Sequence, residues 1–222
     1  MTDRLPLFPL NTVLVPGLVM PLHIFEPRYR AMVETLLAEP DEDAREFGIV
    51  AVRDGGDPRT IEGCYPVGIA TVLRQAQQLD DGRFDIMTTG SRRFRIDRLD
   101  ASEPLLYADV TWLPDETSDD DADLAVITAR AFTTYRAILG GQLSEDEAAD
   151  IDDLPDDPTV LSYLVTAAMV LPTDERQRLI AATSTASRLR IARNLLVREN
   201  TLIATLGAVP AIELLNSAPS AN

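Results

Sequence analysis

The sequence predicts an α+β protein in which an antiparallel, barrel-like sheet with one helix is followed by an α-helical bundle. Three observations carry this. Up to residue 113 the apolar residues fall in short runs of strand character punctuated by proline and glycine. Beyond residue 121 they recur at intervals of three and four. Between the two patterns, after Pro114, lies the acidic run DETSDDDAD.

The N-terminal elements follow in order. Residues 5–25 read as short extended segments, LPLFPL, TVLV and VMPLHIF, with a Pro16–Gly17 turn before the third. Prolines at this density suit edge strands and bulges rather than central strands. Pro27 takes a first helical position. Tyr29, Met32, Val33, Leu36 and Leu37 then follow at helical spacing until Pro40 stops the pattern. FGIVAVR (47–53) is the next strand, and GCYPVGIATVLRQAQQL is a long extended run. Asp81–Gly82 within LDDGRF marks a tight hairpin. RFDIMTTG and RRFRIDRL read as two strands divided at Gly90–Ser91, and LLYADVTWL (105–113) is the last. Six or seven strands and one helix before residue 114 are enough to close, or nearly close, an antiparallel sheet.

Helices are expected over 122–139, 158–171, 173–182 and 185–206. Asp157–Pro158 is a cap followed by proline in the first turn, Thr173 with Glu175 opens the next helix, and Gly207 and Pro210 stop the last. Leu189, Ala192, Leu196, Ile203 and Leu206 lie on one stripe, as in a bundle helix. The expected organisation is a β-rich subdomain over 1–114, an acidic connector with one bundle helix over 115–157, the bundle over 158–207, and a tail over 208–222.

Composition removes several chemistries. All 20 basic residues are arginine, so the chain supplies no phosphate-loop lysine, no lysine Schiff base and no Ser–Lys dyad. One histidine and one cysteine cannot assemble a structural Cys/His zinc site. The lone Cys64 fits a reducing compartment. No signal-peptide pattern opens the chain, and Val13–Phe25, broken by Pro16 and Pro21, is too short to span a bilayer; a cytoplasmic location and no membrane partner are expected. Of the net charge of −16, nearly all belongs to residues 100–157, which hold 17 acids against Arg130 and Arg136. That segment disfavours nucleic acid in its neighbourhood.

The order of segments LPLFPLNTVLVPGLVMPLHIFEPRYRAMV, GCYPVGIATVL and DGRFDIMTTGSRRFRI resembles the N-terminal domain of Lon-family ATP-dependent proteases. DPTVLSYLVTAAMVLPTDERQRLIAATSTASRLRIARNLLVREN is similar to the helical half of the same domain. The resemblance covers residues 4–206, with no clear match over 114–157. It implies a PUA-like barrel joined to a helical bundle and a role in substrate recognition. In full Lon proteases an ATPase module and a Ser–Lys protease follow; the chain ends about where the ATPase would begin, so a free-standing, non-catalytic domain without cofactor is expected.

Candidate sites are few. His23, with Glu26, Arg28, Arg30 and Tyr29 close by, invites a triad, but no G-x-S-x-G elbow occurs, and a half-buried strand histidine bonded to the barrel is expected. Glu26 and Arg28 flank Pro27, and Glu26 is placed to accept from Arg92 or Arg93; these four residues, with His23, form either a polar rim or structural pairs. Arginines in SRRFRIDR (91–98) alternate with Phe94 and Ile96, as on one solvated strand face, which makes RNA binding the lesser reading. DDDAD (119–123) lacks the central glycine and final glutamate of a calcium loop, so no metal is expected. Phe8, Leu10, Val15, Met20, Phe25 and Tyr29 exceed what one buried strand face needs. Phe8, Met20, Phe25 and Tyr29 are therefore the candidate surface for extended polypeptide segments, presented by a client, a protease or a chaperone, with strand addition at an open edge as one mode. The alternative function is a small-molecule sensor with a pocket between barrel and bundle.

Overall fold

The computed structural model describes residues 3–140 and 154–206. These divide, between Pro114 and Asp115, into two compact units. Residues 141–153 of the acidic connector, the stop signals Gly207 and Pro210 and the expected tail lie outside the described residues.

The first unit contains β1 (Asp3–Leu10), β2 (Val19–Ile24), α1 (Pro27–Leu37), β3 (Glu46–Ala51), β4 (Val67–Gln78), β5 (Phe84–Asp100) and β6 (Leu106–Leu113). The strand order is β2-β5-β4-β3-β1-β6, and a further β5–β6 pairing closes β5, β4, β3, β1 and β6 into a ring. Three features depart from the sequence expectation. β1 pairs β3 in parallel, Leu7 opposite Gly48, so the sheet is mixed rather than purely antiparallel. And the two strands expected on either side of Gly90–Ser91 are one strand of 17 residues. No positive φ occurs at Gly90; a Cβ there would lie 2.6 Å from the Val15 carbonyl oxygen, so the glycine admits close backbone contact instead of turning the chain. TVLV is not a strand, although Val13, Leu14 and Val15 are fully buried.

Inside the ring, Leu5, Leu7, Val50, Ala70, Phe94 and Ile96 belong to one buried cluster. Phe94 directly faces Gly68 across the ladder. A Cβ on Gly68 would come within 2.5 Å of the Phe94 ring and 2.7 Å of the Ile49 carbonyl oxygen, and one on Gly48 within 2.7 Å of the same ring. Two glycines therefore make room for one aromatic ring. On the other face of β1, Phe8 packs on Tyr29 of α1 with ring centroids 4.1 Å apart. α1 begins where Pro27 pre-sets its first turn, and Tyr29, Met32, Val33 and Leu36 form its buried stripe.

The second unit contains α2 (Asp121–Gly140), α3 (Pro158–Ala168), α4 (Thr173–Ile180) and α5 (Thr185–Leu206). Asp157 caps α3 by accepting from the backbone N–H groups of Thr159 and Val160. α3 ends three residues before the expected Leu171: Met169 is extended, and Pro172 disfavours helical backbone at the residue before it. Phe132, Leu161, Val165, Leu179, Leu189 and Leu196 share the core. Beside that core lies a buried arginine. Arg188, fully buried, donates to Asp115 at 2.8 Å and to Ser162 Oγ at 2.8 Å, and its guanidinium stacks 3.8 Å over the Tyr163 ring. The Tyr163 hydroxyl donates to the same carboxylate at 2.7 Å. Residue 116 adds a bridge to Ser184 at the start of α5. The first residues of this unit are thus tied to both α3 and α5.

Replacing Asp115 with alanine strips a buried guanidinium of its counter-ion and is expected to cost about 3 kcal/mol in urea unfolding. Tyr163→Phe, which removes one hydrogen bond, is expected to cost about 1 kcal/mol. Equal effects would show that the charge pair is not the dominant contact.

A second expectation concerns pH. Hydrogen bonds from Arg198, one of them 2.7 Å to Oε2, hold the Glu175 carboxyl below the usual carboxylate range. The folded state therefore binds this proton less readily than the unfolded chain. Its stabilising effect is complete above the unfolded carboxylate pKa and is lost as pH falls through the lowered folded value. Thermal melts between pH 6 and 3 should show Glu175→Gln losing part of the acid dependence of the wild type.

Candidate functional site

Alternation along β2 sends Leu22 and Ile24 into the interior and leaves Val19, Pro21, His23 and the following Phe25 exposed. β2 pairs with β5 alone, so no strand covers its other edge among the described residues. Val19 is 52 % exposed and Phe25 43 %, and Leu18 beside them is 38 % exposed. Three large apolar side chains thus surround an unpaired strand edge.

Burial corrects the candidate surface. Phe8 and Tyr29 are 3 % and 4 % exposed and pack on each other beneath α1, so neither is available to a polypeptide. Leu10 and Val15 are buried as well. The excess of large side chains has a structural cause: β1 is covered on both faces, by the ring interior and by α1. Only Phe25 and, in part, Met20 keep a surface position. Burial of the Tyr29 hydroxyl also pushes its pKa up to about 12.

The polar candidates form separate pairs. His23 stands opposite Asp85 in the β2–β5 register, and its Nδ1 lies 2.6 Å from Asp85 Oδ1. On the other side of the ring, Arg83 Nη1 lies 3.1 Å from Nε2. A guanidinium only donates, so Nε2 accepts and the ring proton sits on Nδ1, facing Asp85. The atom that would serve a nucleophile as general base is taken up by an arginine, and a triad is not assembled. The ring does bond the barrel, but it is exposed rather than half-buried, with 44 % of the side chain accessible.

Glu26 does not reach Arg92 or Arg93. It pairs with Arg28 at 2.7 Å, two residues on, because both side chains leave the first turn of α1 together. Arg92 instead pairs with Glu46 at 2.9 Å and stacks 3.5 Å over Trp112. Arg93 is 2 % exposed and donates to the Pro114 carbonyl at 2.8 Å, which removes it from any rim. The remaining arginines of the 91–98 run are also neutralised, Arg95 by Asp97 at 3.0 Å and Arg98 by Asp109 at 2.8 Å. Such pairing leaves no bare cationic stripe for phosphates on this strand. No group of three or more metal-ligating side chains is present among the described residues, and no described helix is long and apolar enough to cross a membrane.

Sequence reading missed a cleft of about 350 Å³ between α1 and the chain entering β6. Its α1 wall, Arg28, Ala31, Met32, Thr35 and Leu36, has the spacing of one helix face and was legible as such. The opposite wall, Glu103 to Leu105 and Tyr107, comes from about 70 residues further along, and no local pattern announces that meeting.

His23→Ala is expected to cost less than about 1 kcal/mol in urea unfolding, since the pair it breaks is exposed. A larger loss would make this cluster a structural lock of the β2–β5 ladder.

The chain is similar to known proteins over most of its length. It is 25 % identical to Lon protease 1 of Hydrogenovibrio crunogenus over 180 residues, 81 % of this chain and 22 % of that protein. It is 26 % identical to the Lon protease of Desulfovibrio desulfuricans over 202 residues, 89 % of this chain and 22 % of that protein. The chain thus spans about a quarter or less of the length of these curated relatives. Among solved structures, a Lon N-terminal domain protein from Xanthomonas campestris superposes with a TM-score of 0.62 at 22 % identity, covering 88 % of this chain and 98 % of that one. The N-terminal domain of a Mycobacterium avium complex Lon protease gives 0.66 at 20 % identity with the same coverages. The family model for the substrate-binding domain of the ATP-dependent protease La (LON) matches residues 4–198, and the chain belongs to that family.

Proposed function

We propose that this chain binds exposed apolar segments of client polypeptides and catalyses no reaction on them. The observation that carries the reading is the unpaired edge of β2 with Leu18, Val19 and Phe25 exposed beside it. An open edge offers backbone hydrogen bonds to an extended segment, and apolar neighbours add burial without demanding one sequence. Membership of a substrate-binding family supports the same reading. These 222 residues are lysine-free and offer neither a phosphate loop nor a Ser–Lys dyad, so on this reading they carry out no ATP-driven step or peptide hydrolysis themselves. On this reading the chain acts in cytoplasmic protein quality control, holding clients or passing them to a protease or chaperone. The paired arginines of β5 argue against the RNA-binding alternative.

The test is fluorescence anisotropy with a labelled, reduced and carboxymethylated protein as client. Phe25→Asp, at an exposed position, is expected to weaken binding about tenfold, the equivalent of roughly 1.4 kcal/mol. Unchanged affinity in the folded variant would reject the β2 surface. Absence of binding by the wild type would reject the function.

A further inference from the structure

The backbone of β2 turns its polar groups alternately toward β5 and toward the open edge. The Gly90 N–H donates to the Leu18 carbonyl at 3.0 Å, and the Thr88 hydroxyl donates to the Met20 carbonyl at 3.1 Å, so both carbonyls face β5. The register, with Met20 opposite Thr88 and Leu22 opposite Ile86, carries that parity to Ile24 without a shift. Val19, Pro21 and His23 therefore direct their backbone groups to the open edge. Their three carbonyls stand there with only two N–H groups, because Pro21 has none. The proline sits at the parity a ladder tolerates; at Met20 or Leu22 it would remove a bond to β5.

Little else on β2 blunts this edge. VMPLHI contains no Arg, Asp or Glu, its pairing with β5 has no bulge, and Val19 and Phe25 stand exposed beside it. Charge, a bulge or a proline keeps an exposed strand from joining its own copies, and on this strand only the proline is present. Its effect on different partners is unequal. A second copy of this chain brings a second proline. Any pairing of two β2 edges that includes both prolines lacks two hydrogen bonds, one for each missing donor. A foreign segment without proline lacks one, whichever way it runs. Each carbonyl left facing a missing donor weakens association about tenfold.

We propose that Pro21 is a specificity-determining residue of the β2 edge, which disfavours a second copy of this chain more strongly than a foreign extended segment. The occupant of the edge is a foreign segment with no proline where it passes Pro21. This rests on the reading that the chain binds polypeptides, and it adds how the edge is kept available for them.

Amide hydrogen exchange on the unaltered protein reads the geometry. The Val19 and His23 amides are expected to exchange freely, and those of Leu22 and Ile24 to be protected. Protection at His23 with free exchange at Leu22 would reverse the parity and overturn the proposal. The discrimination is read with two fluorescein-labelled peptides that copy residues 18–25, one unchanged and one carrying Pro21→Val. The valine peptide is expected to bind the wild-type protein about tenfold more tightly, and equal affinities would overturn the proposal. In the protein itself, Pro21→Val keeps an apolar side chain on the outer face and supplies the missing donor. Sedimentation velocity over a concentration series should show self-association strengthened about a hundredfold, two donors being restored, against about tenfold for the unfolded client. A folded Pro21→Val protein that associates no more strongly than the wild type would overturn the proposal; should it not fold, the two peptides carry the test alone. Failure of both peptides while the wild type still binds the client would overturn pairing at this edge and leave the polypeptide-binding function standing. Failure of the client, with the valine peptide still preferred, would overturn that function and leave the barrier to self-pairing.

Discussion

The first unit depends on the continuity of β5. One strand of 17 residues pairs along one edge with β4 and along the other first with β2, then with β6. Because the same strand carries both ends of the sheet, closure needs no separate clasp. Three irregularities in its ladders, between Ile69 and Thr71, between Leu73 and Gln75 and between Ile96 and Arg98, supply the coiling that closure demands. Gly90 sits in the first of these stretches, where the backbone of Val15 and Leu18 comes against it and its own N–H donates to the Leu18 carbonyl at 3.0 Å. Once β5 leaves β2 for β6, β2 has no second neighbour. The open edge is therefore a consequence of how the ring closes.

The exclusive use of arginine shapes the rest of the surface. Guanidinium planes lie over aromatic rings at Arg92–Trp112, Arg53–Tyr65, Arg28–Tyr29 and Arg188–Tyr163, an arrangement a lysine ammonium does not reproduce by stacking. Most of these same heads also pair with a nearby carboxylate. Much of the cationic charge in the first unit is thereby paired internally, and the exposed apolar side chains near β2 stand out as features left for recognition. The buried Arg188 plays a different part. It orders the entry to the second unit through a carboxylate, a hydroxyl and a ring face at once.

Much of the fold was legible because it rests on local rules. Pro27 with the 29–32–33–36 spacing places α1, Asp81–Gly82 places the hairpin with Gly82 at φ 80°, and Asp157–Pro158 places the start of α3. The failures share a physical origin in contacts between distant segments. A glycine admitting the Val15 carbonyl looks, in sequence, the same as a glycine making a turn, so β5 was cut in two. Parallel pairing of β1 with β3 leaves no local mark. Phe8 and Tyr29 looked surplus because the pattern of β1 reveals that both faces are apolar but not that a helix covers the second. Glu26 found its partner two residues away rather than 66 or 67, since a neighbour on the same first turn is held close at no cost in loop closure.

Magnitudes bound what the exposed apolar residues near β2 can contribute. Burying one large apolar side chain contributes about 1.5–3 kcal/mol, and a dissociation constant of 1 mM already requires about 4.1 kcal/mol. One exposed side chain beside the strand edge therefore would not retain a polypeptide by itself. On the proposed reading several such contacts along one extended segment would have to act together, each after the first being intramolecular, and that requirement favours a chain able to lie along the whole open edge.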